Sequence, residues 1–331
     1  MPRTILVTAS TLAPAGVRRL ADAGCRVIYL PAGGGSAELE QIMAAEAIDA
    51  VISRTVNLTA RAIEACPTLK VVSRHGVGVT NVDVEACTRR GIPIYVTPGA
   101  NAQSVAELAV GLMIAAARQI AWLDREIRAG RWSRAQDGIE LCGRTIGLVG
   151  FGQIGQRVAR VCLALGMKVV AFDPGFAGIT RARDVEIVAS LDEMLPRSEV
   201  LSLHVPLTAR TRSMIGAPQL ALMPHHAILI NTARGEVVDE AALIAALQTG
   251  QLAAAGLDTM AQEPLPVGSA LAALPNVILT PHVGGSTPAA LDNMAADAAI
   301  HAIGFLDGIP ADPSTCVNAD VLVSPSQSSS S

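Results

Sequence analysis

Three side chains that can bind anions or transfer protons lie just beyond three apolar runs in the second half of the chain. They are Arg234, Asp258 and His282. Such runs are typical of buried parallel strands, and open α/β sheets bind their ligands beyond the carboxyl ends of the strands. The sequence therefore predicts that a guanidinium, a carboxylate and an imidazole share one rim of a sheet.

A glycine-rich turn precedes these residues in the chain. Gly150-Phe151-Gly152-Gln153-Ile154-Gly155 lies between an apolar run, 145–149, and a helical pattern, 153–165. In a turn of this kind the first glycine turns the chain, the second lets a pyrophosphate approach the backbone, and the third packs the helix against the sheet. The helix N-terminus supplies free N–H groups for the phosphates. We predict a dinucleotide site at this turn.

Asp173 indicates which dinucleotide binds. It follows the next predicted strand, 168–172, at about the 20-residue spacing of a ribose-binding acid. A carboxylate at this point accepts hydrogen bonds from the adenosine ribose and repels a 2′-phosphate. Pro174, Gly175 and Phe176 follow, with no adjacent arginine for such a phosphate. The prediction is therefore NAD and not NADP.

With NAD bound nearby, the residues of the rim suit hydride transfer from a carbon that bears a hydroxyl group. His282 is the predicted base for the hydroxyl proton. Glu263, on the loop after Asp258, is predicted to reach His282 and fix its tautomer. Arg234 is predicted to hold a substrate carboxylate or to polarise the carbonyl group. His204 and Thr232, at the ends of two apolar runs, are candidates for the cofactor groove.

The elements that position these residues form two series of apolar runs, which alternate with helical patterns and predict parallel sheets. The strands expected in the first series are 4–8, 26–30, 50–53, 70–73 and 93–96. The six expected in the second, the number in a complete dinucleotide-binding fold, are 145–149, 168–172, 199–203, 227–231, 254–257 and 277–280. One long helix is predicted between the series, from about Ala102 to Ala129.

This pattern predicts an α/β fold with two doubly wound parallel-sheet domains, in which a Rossmann NAD-binding domain is inserted in a flavodoxin-like substrate domain. The expected boundaries are 1–100 for the first part of the substrate domain, 101–287 for the NAD-binding domain, and 288–323 for the return to the substrate domain. Residues 324–331 are rich in serine and are predicted to be disordered.

Composition argues against several other classes of protein. The 331 residues are 50% hydrophobic and 16% charged, which favours a globular chain. The net charge of −4 provides no broad basic surface for nucleic acid or an anionic membrane. The N-terminus predicts no signal peptide, and no apolar run is long enough to span a bilayer. The six cysteines lack metal-ligand spacing. We expect a cytoplasmic protein with no metal site.

The sequence resembles the D-isomer-specific 2-hydroxyacid dehydrogenases, and within them the phosphoglycerate dehydrogenase branch. The resemblance runs from the first strand to about Leu322. Besides the glycine turn, the motifs that carry it include Ser73-Arg74-His75-Gly76-Val77-Gly78-Val79, Thr97-Pro98-Gly99-Ala100-Asn101, Asn231 to Asp239, and Pro281-His282-Val283-Gly284-Gly285. It implies a homodimer joined through the NAD-binding domain, in a short form without the C-terminal regulatory domains of longer members.

The resemblance also implies roles for single residues. Arg234, Glu263 and His282 would form the catalytic set, and backbone N–H groups around Gly76 to Gly78 would bind the substrate carboxylate. Contacts with NAD are implied for Gln153, Ile154, Asp173, Pro206, Ala233 and Asp258, with Val77 and Ser104 nearby.

Arginines indicate a second anionic group on the substrate. Arg54 and Arg74 end the third and fourth strands of the first series and are expected to face the cleft between the domains. Arg134 is a third candidate, for which a solvated surface position is the alternative. Clustered guanidiniums suit a dianionic 2-hydroxy acid such as 3-phosphoglycerate. His75 replaces the small residue usual in the family and either adds a donor or fills space, and Thr80 stands in place of the usual Asp.

Three alternatives stay open from the sequence. A glyoxylate or hydroxypyruvate reductase would carry the same catalytic set. An NAD-sensing protein of the corepressor type would keep the fold without turnover, although Arg234, Glu263 and His282 are all present. A formate or phosphite oxidiser would act on a substrate too small to need Arg54 and Arg74.

Overall fold

The structure is a computed structural model that describes residues 2–134 and 138–322. The predicted serine-rich tail, 324–331, lies outside the described residues. Contacts within the chain divide it into two units. The first contains residues 2–101 and 287–322, and the second contains 102–134 and 138–286. Each unit is an α/β structure with a mainly parallel sheet, which confirms the predicted fold class.

The strands of the first unit are short and were all expected from the sequence. They are β1 (Thr4–Val7), β2 (Arg26–Tyr29), β3 (Ala50–Ser53), β4 (Val71–Arg74) and β5 (Ile94–Tyr95). The strands of the second unit are β6 (Thr145–Val149), β7 (Lys168–Phe172), β8 (Arg181–Ala182), β9 (Val185–Ile187), β10 (Val200–Leu203), β11 (Ala227–Asn231), β12 (Leu252–Leu257) and β13 (Val277–Leu279).

The helices lie between the strands, except the last one, which follows β13. They are α1 (Pro14–Asp22), α2 (Ser36–Ala45), α3 (Ala60–Ala65), α4 (Val84–Arg89), α5 (Ala102–Ala117), α6 (Ile120–Arg128), α7 (Gln153–Ala164), α8 (Leu191–Met194), α9 (Ala217–Leu222), α10 (Glu240–Gln248), α11 (Ala270–Ala273) and α12 (Pro288–Leu306). Single 3₁₀ turns occur at Pro174–Phe176, Leu195–Arg197, Gly235–Val237, Pro313–Thr315 and Ala319–Leu322.

The first unit is built on a five-stranded parallel sheet with the order β2-β1-β3-β4-β5. Helices cover both faces, which is why most of its strands are continuous apolar runs. In β1, Leu6 packs with residues of α2, α3 and α4, whereas Ile5 and Val7 pack with residues of α1 and α12. The fully buried residues of α12 in this core are all small: Ala295, Ala298, Ala299 and Ala302.

The second unit is built on an eight-stranded sheet with the order β13-β12-β11-β10-β6-β7-β9-β8, in which only β8 runs antiparallel to its neighbour. The expected number of six strands is wrong, because β8 and β9 also pair at the edge next to β7. These strands have two and three residues, and Glu186 interrupts the apolar pattern of β9. Strands this short leave too little periodicity to be recognised in a sequence.

The single long helix expected between the two series is also wrong, because the chain forms α5 and α6 with a bend of 63° between them. Gln119, at the break, has a left-handed backbone with φ of 54°. Neither glycine nor proline lies at this point, so the sequence carries no usual signal of a helix end. In the described part of the chain no single helix is long and apolar enough to cross a membrane, and only the bent pair α5 and α6 meets that criterion together.

Substitution of two helical glycines in different surroundings by alanine would test how tightly α1 packs on α12. A Cβ atom at Gly16 of α1 would lie 2.8 Å from both the Cβ and the carbonyl oxygen of Ala295. At Gly111 of α5 a Cβ would meet nothing within 4 Å. We expect Gly16→Ala to lower the free energy of unfolding by about 1–3 kcal/mol, because overpacking outweighs the better helix propensity of alanine.

The matched variant Gly111→Ala is expected to raise the free energy of unfolding by up to about 1 kcal/mol. Urea unfolding followed by circular dichroism measures both changes. Equal effects of the two substitutions would show that α1 does not approach α12 as closely as described.

Candidate active site

At the glycine turn, neighbouring segments of backbone approach so closely that two of the three glycines leave no room for a Cβ atom. Gly150 has φ of 96°, and a Cβ there would lie 2.6 Å from the carbonyl oxygen of His204. A Cβ at Gly155 would overlap the carbonyl oxygen of Gly150, so the first turn of α7 lies directly against the loop. Gly152 has open space on its Cβ side. The turn therefore excludes side chains at two positions and leaves the third open to a ligand.

Asp173 follows β7, the neighbour of β6 in the sheet. Its Oδ2 accepts the N–H of Phe151 at 2.7 Å, and its Oδ1 accepts the N–H of Gly175 at 2.8 Å. The carboxylate thus joins the end of β7 to the glycine turn. Asp173 is half-buried.

Two buried polar atoms near the ends of β10 and β11 have no partner among the described residues: Nδ1 of His204 and Oγ1 of Thr232. Nε2 of His204 contacts Oγ of Ser202 at 3.0 Å. Burial lowers the pKa of His204 from 6.5 to about 4. Unpaired buried polar atoms beside an open glycine turn fit a polar ligand that completes their hydrogen bonds, and a dinucleotide meets this requirement.

The three rim residues follow three strands that are direct neighbours. β11, β12 and β13 are adjacent and parallel, and Arg234, Asp258 and His282 lie just beyond their carboxyl ends. β7, with Asp173, lies on the other side of β6 from these strands. The predicted arrangement of strands is therefore confirmed, and it places the two groups of residues on opposite sides of the glycine turn.

His282 and Glu263 are in direct contact. Nδ1 of His282 lies 2.7 Å from Oε2 of Glu263, and the two side chains are 46% and 33% exposed. The other carboxylate oxygen of Glu263 accepts the N–H of Met260 at 3.0 Å. His282 has φ of 55°, which is unusual for a residue with a side chain. The contact leaves the Nε2 atom of His282 available for another partner.

Asp258 organises the loop that carries His282. Its carboxylate, in a residue only 1% exposed, accepts the N–H groups of Val283 at 2.9 Å and Gly284 at 2.8 Å. The carboxylate also accepts the hydroxyl group of Thr280 at 2.6 Å. The backbone carbonyl oxygen of Asp258 accepts the N–H of His282 at 2.8 Å. The family resemblance implies a cofactor contact for Asp258, and this contact stays a prediction. The described partners of its carboxylate all belong to this loop.

Arg234 is half-buried, and its Nη1 donates to the carbonyl oxygen of Ala233 at 2.6 Å. Asn231, which ends β11, fixes this turn. Its Oδ1 accepts the N–H of Ala233 at 3.0 Å, and its Nδ2 donates to the carbonyl oxygen of Arg234 at 2.9 Å. Gly235 follows, where a Cβ would overlap the backbone of Met260.

Three further residues shape this rim, and the sequence predicts no role for them: Asn231, Thr280 and Glu240. Glu240, at the start of α10, accepts the N–H of Ala261 at 3.2 Å and so supports the loop that bears Glu263. An asparagine at the end of a strand is a signal for a local side-chain turn, which could have identified Asn231. The sequence offers no comparable signal for Thr280 or Glu240, because their partners are distant in the chain.

The predicted substrate residues of the first unit cluster beyond β3 and β4. Arg54 is half-buried and its Nη1 donates to the carbonyl oxygen of Thr11 at 2.9 Å. Arg74 donates to three backbone carbonyl groups. His75 is 6% exposed, and its Nε2 has no partner among the described residues. Burial and the charges of Arg54 and Arg74 lower the pKa of His75 to about 4, so its imidazole is neutral at pH 7.

The remaining predicted site residues differ in exposure and lie in both units. Val77, in the loop of the first unit, is 48% exposed. In the second unit, Ser104 is half-buried within α5, Pro206 lies in the segment after β10, and Arg134 is exposed beyond α6. In the described ranges, 2–134 and 138–322, no three His, Cys, Asp or Glu side chains are grouped so that they could hold a metal ion.

Comparison with known proteins adds to this geometry. Residues 110–284 match the family described as D-isomer specific 2-hydroxyacid dehydrogenase, NAD binding domain. The chain is 44% identical over 251 residues to the D-3-phosphoglycerate dehydrogenase of Methanocaldococcus jannaschii, which corresponds to 75% of this chain and 47% of that protein. It spans about half the length of the phosphoglycerate dehydrogenases that it matches.

Two further relatives match over most of their own length. A hydroxypyruvate reductase of Thermotoga maritima is 45% identical over 240 residues, which is 72% of this chain and 78% of that protein. The crystal structure of the TT0316 protein from Thermus thermophilus superposes with a TM-score of 0.83 at 36% identity, over 95% of this chain and 99% of that one.

Because of the contacts of its carboxylate, we expect removal of the negative charge of Asp258 to destabilise the protein. In Asp258→Asn an amide N–H₂ would face backbone N–H donors in a buried site, so at least one donor loses its acceptor. We expect the free energy of unfolding to fall by about 2–3 kcal/mol. Urea unfolding followed by tryptophan fluorescence measures it, because Trp122 and Trp132 both belong to the second unit.

Asp239→Asn is the matched control, since Asp239 caps α10 by accepting the N–H of Ala242 at 3.1 Å. Asparagine caps helices as well as aspartate does, so this variant is expected to stay within about 0.5 kcal/mol of the wild type. If the two variants unfold at the same urea concentration, the carboxylate of Asp258 does not hold the loop.

The lowered pKa of His204 predicts a loss of stability in acid. Unfolded His204 takes up a proton near pH 6.5, whereas the folded protein does so only near pH 4. Between these values the unfolded state binds more protons, so stability falls as the pH is lowered through this window, by about 1.4 kcal/mol per pH unit. We expect His204→Gln to make the dependence of the unfolding free energy on pH less steep between 6.5 and 4, as measured in urea. His75, whose pKa is also lowered to about 4, contributes to the slope that remains. A slope equally steep in the wild type and in His204→Gln would contradict the assignment.

Proposed function

Because the chain belongs to the D-isomer specific 2-hydroxyacid dehydrogenase family, we propose that it is an NAD-dependent oxidoreductase that interconverts a 2-hydroxy acid and its 2-oxo acid. The observation that carries the proposal is the 2.7 Å contact between His282 and Glu263, on the rim that also bears Arg234. This rim supplies a base, a carboxylate that orients it, and a guanidinium for the substrate carboxylate.

In the proposed reaction His282 takes the proton of the substrate hydroxyl group. Its Nδ1–H donates to Glu263, so the lone pair of Nε2 is available for that proton. Glu263 also stabilises the imidazolium that forms. Arg234 pairs with the substrate carboxylate and polarises the oxygen as it becomes a carbonyl. In the direction of reduction, the imidazolium of His282 returns the proton to that oxygen.

The residues at the glycine turn are proposed to hold NAD, which supplies the hydride acceptor when bound. Gly150, Gly152, Gln153, Ile154 and Gly155 offer the pyrophosphate an open backbone and the N-terminus of α7. Asp173 receives the adenosine ribose. The other residues proposed to contact the cofactor are His204, Pro206, Thr232, Ala233, Asp258, Val77 and Ser104.

The proposed substrate is 3-phosphoglycerate or a similar 2-hydroxy acid with a second anionic group. Within the first unit, the half-buried guanidinium of Arg54 has one described hydrogen bond, which leaves donors for an anion. The loop Gly76-Val77-Gly78 receives the carboxylate, and His75 lies beside it. Arg134 is retained as a further contact. Glyoxylate or hydroxypyruvate is the second candidate, because the relative named hydroxypyruvate reductase matches over 78% of its own length.

We also propose that the protein is a homodimer and cytoplasmic. Within the described residues of α6 none is buried, and Ile120 and Ile127 are about half exposed, an apolar stripe that a second copy would cover. A groove beside it is lined by residues of α5, α6 and the edge of the sheet, among them Trp122, Pro275 and Val277. The buried thiols Cys66, Cys87, Cys162 and Cys316 suit a reducing compartment.

The test of this function is turnover with NAD on 3-phosphoglycerate, D-glycerate, D-lactate and D-2-hydroxyglutarate, for the wild type and three variants. His282→Asn removes the base and is expected to lower kcat by about 100- to 10,000-fold while the Kd for NAD changes little. Glu263→Gln keeps a hydrogen-bond partner for the imidazole, so its kcat is expected to fall by a smaller factor. Arg54→Ala is expected to lower kcat/KM by about 10- to 100-fold for the two dianionic acids only.

Each outcome decides between functions. NAD binding with no turnover of any 2-hydroxy acid by the wild type would contradict the proposed activity and favour an NAD-sensing protein. Comparable kcat/KM values on D-glycerate and 3-phosphoglycerate would favour the glyoxylate and hydroxypyruvate reductases. An equal effect of Arg54→Ala on all four acids would remove Arg54 from the substrate site.

A further inference from the structure

The loop after β4, residues 75–79, is held in place by hydrogen bonds from Thr97 and Arg74. Gly76 has φ of 126°, a conformation that favours glycine. Its N–H donates to the hydroxyl oxygen of Thr97 at 3.0 Å, and its carbonyl oxygen accepts the N–H of Thr97 at 3.0 Å. Thr97 is completely buried. One threonine therefore fixes both polar groups of the glycine at the start of the loop.

Arg74 fixes the other end of the same loop. Its Nε donates to the carbonyl oxygen of Gly78 at 2.7 Å. Its Nη1 donates to the carbonyl oxygens of Ser53 and His75, both at 2.9 Å. The planar guanidinium thus ties the end of β3 to both ends of the loop. A lysine ammonium cannot span three carbonyl groups in this way, because it is a single point donor on a flexible chain.

The same contacts leave two backbone groups of the loop without a partner. In the part of the chain that the structure describes, the N–H groups of Val77 and Gly78 have no acceptor, and Val77 is half exposed. Successive free N–H groups form a concave site for an anion. The charge of Arg74 lies on the carbonyl side of this loop and strengthens the attraction for an anion.

We propose that Arg74 and Thr97 are positioning residues that hold this loop in its anion-binding form, and that Arg74 acts on the substrate through the loop and not as a phosphate ligand. The inference rests on the proposed function. It separates the two strand-end arginines: Arg54 is the contact for a second anionic group, whereas Arg74 serves the carboxylate that every 2-hydroxy acid carries.

The kinetic test compares Arg74→Lys with Arg54→Lys on the same four acids. If Arg74 holds the loop, Arg74→Lys raises KM by roughly 10- to 100-fold, by the same factor for D-lactate and D-glycerate as for the dianionic acids. kcat changes less, because the catalytic residues of the second unit are unaltered. Arg54→Lys changes KM only for the dianionic acids. A rise in KM for Arg74→Lys confined to the dianionic acids would overturn the proposal.

Arg90→Lys is the matched control. Arg90 also donates to three backbone carbonyl groups of the first unit, those of Ile63, Cys66 and Pro67, but none belongs to the loop. This variant loses a similar set of hydrogen bonds and is expected to leave KM unchanged for all four acids. A rise in KM equal to that of Arg74→Lys would reduce the effect to general destabilisation and overturn the proposal.

Thr97 provides an independent test that does not require turnover. Hydrogen exchange of the peptide that contains residues 75–79 is measured in the wild type, Thr97→Val, Thr97→Ser and Arg74→Lys. Loss of the hydroxyl in Thr97→Val frees the N–H of Gly76, so exchange there is expected to quicken at least tenfold, and serine is expected to restore protection. Peptides from α7 report whether the second unit stays intact.

The two kinds of measurement separate the possible failures. If the wild type turns over none of the acids, the proposed function fails, and exchange in Thr97→Val and Arg74→Lys still decides whether these residues hold the loop. If exchange of the loop is the same in the wild type and both variants, the positioning role is wrong, even if the enzyme is active.

Discussion

The buried carboxylate of Asp258 accepts two backbone N–H groups and one hydroxyl group from the loop that follows β13. Because the carboxylate is shielded from water, the loss of any one of these hydrogen bonds leaves a buried polar group without a partner. Such a loss lowers the free energy of unfolding. The loop is therefore fixed relative to the neighbouring strand, and His282, within the same loop, inherits that position. The contact of His282 with Glu263 depends on this constraint, since Glu263 lies on the loop that leaves β12.

Parallel pairing turns this local constraint into a site. The carboxyl ends of β11, β12 and β13 are neighbours, so the turns fixed by Asn231 and by Asp258 bring Arg234 and His282 to the same rim. At the centre of the sheet the glycine turn excludes side chains at Gly150 and Gly155 and leaves space at Gly152. The second unit thus separates a turn made of backbone, with open space at Gly152, from a rim made of charged and titratable side chains.

The first unit uses arginines in two different ways. The guanidinium of Arg74 is engaged with the carbonyl groups of the backbone around it, whereas the guanidinium of Arg54 has a single described hydrogen bond. Burial, together with the charges of these two arginines, lowers the pKa of His75 and keeps its imidazole neutral. Two residues of the same type at neighbouring strand ends therefore differ in their contacts, because one has three backbone acceptors within reach.

The sequence alone determined the parallel α/β architecture and the location of the glycine turn, because long apolar runs and glycines act through local conformation. It also determined that Arg234, Asp258 and His282 share a rim, since strand ends in a parallel sheet meet at one edge. It did not reveal β8 and β9, which are too short to show a period, or the break at Gln119. Only the tertiary structure assigned Asp258 to the His282 loop, and Arg74 to the loop at Gly76. These roles depend on which acceptors and donors the fold brings within about 3 Å, and a residue's type and its place in the chain do not specify those neighbours.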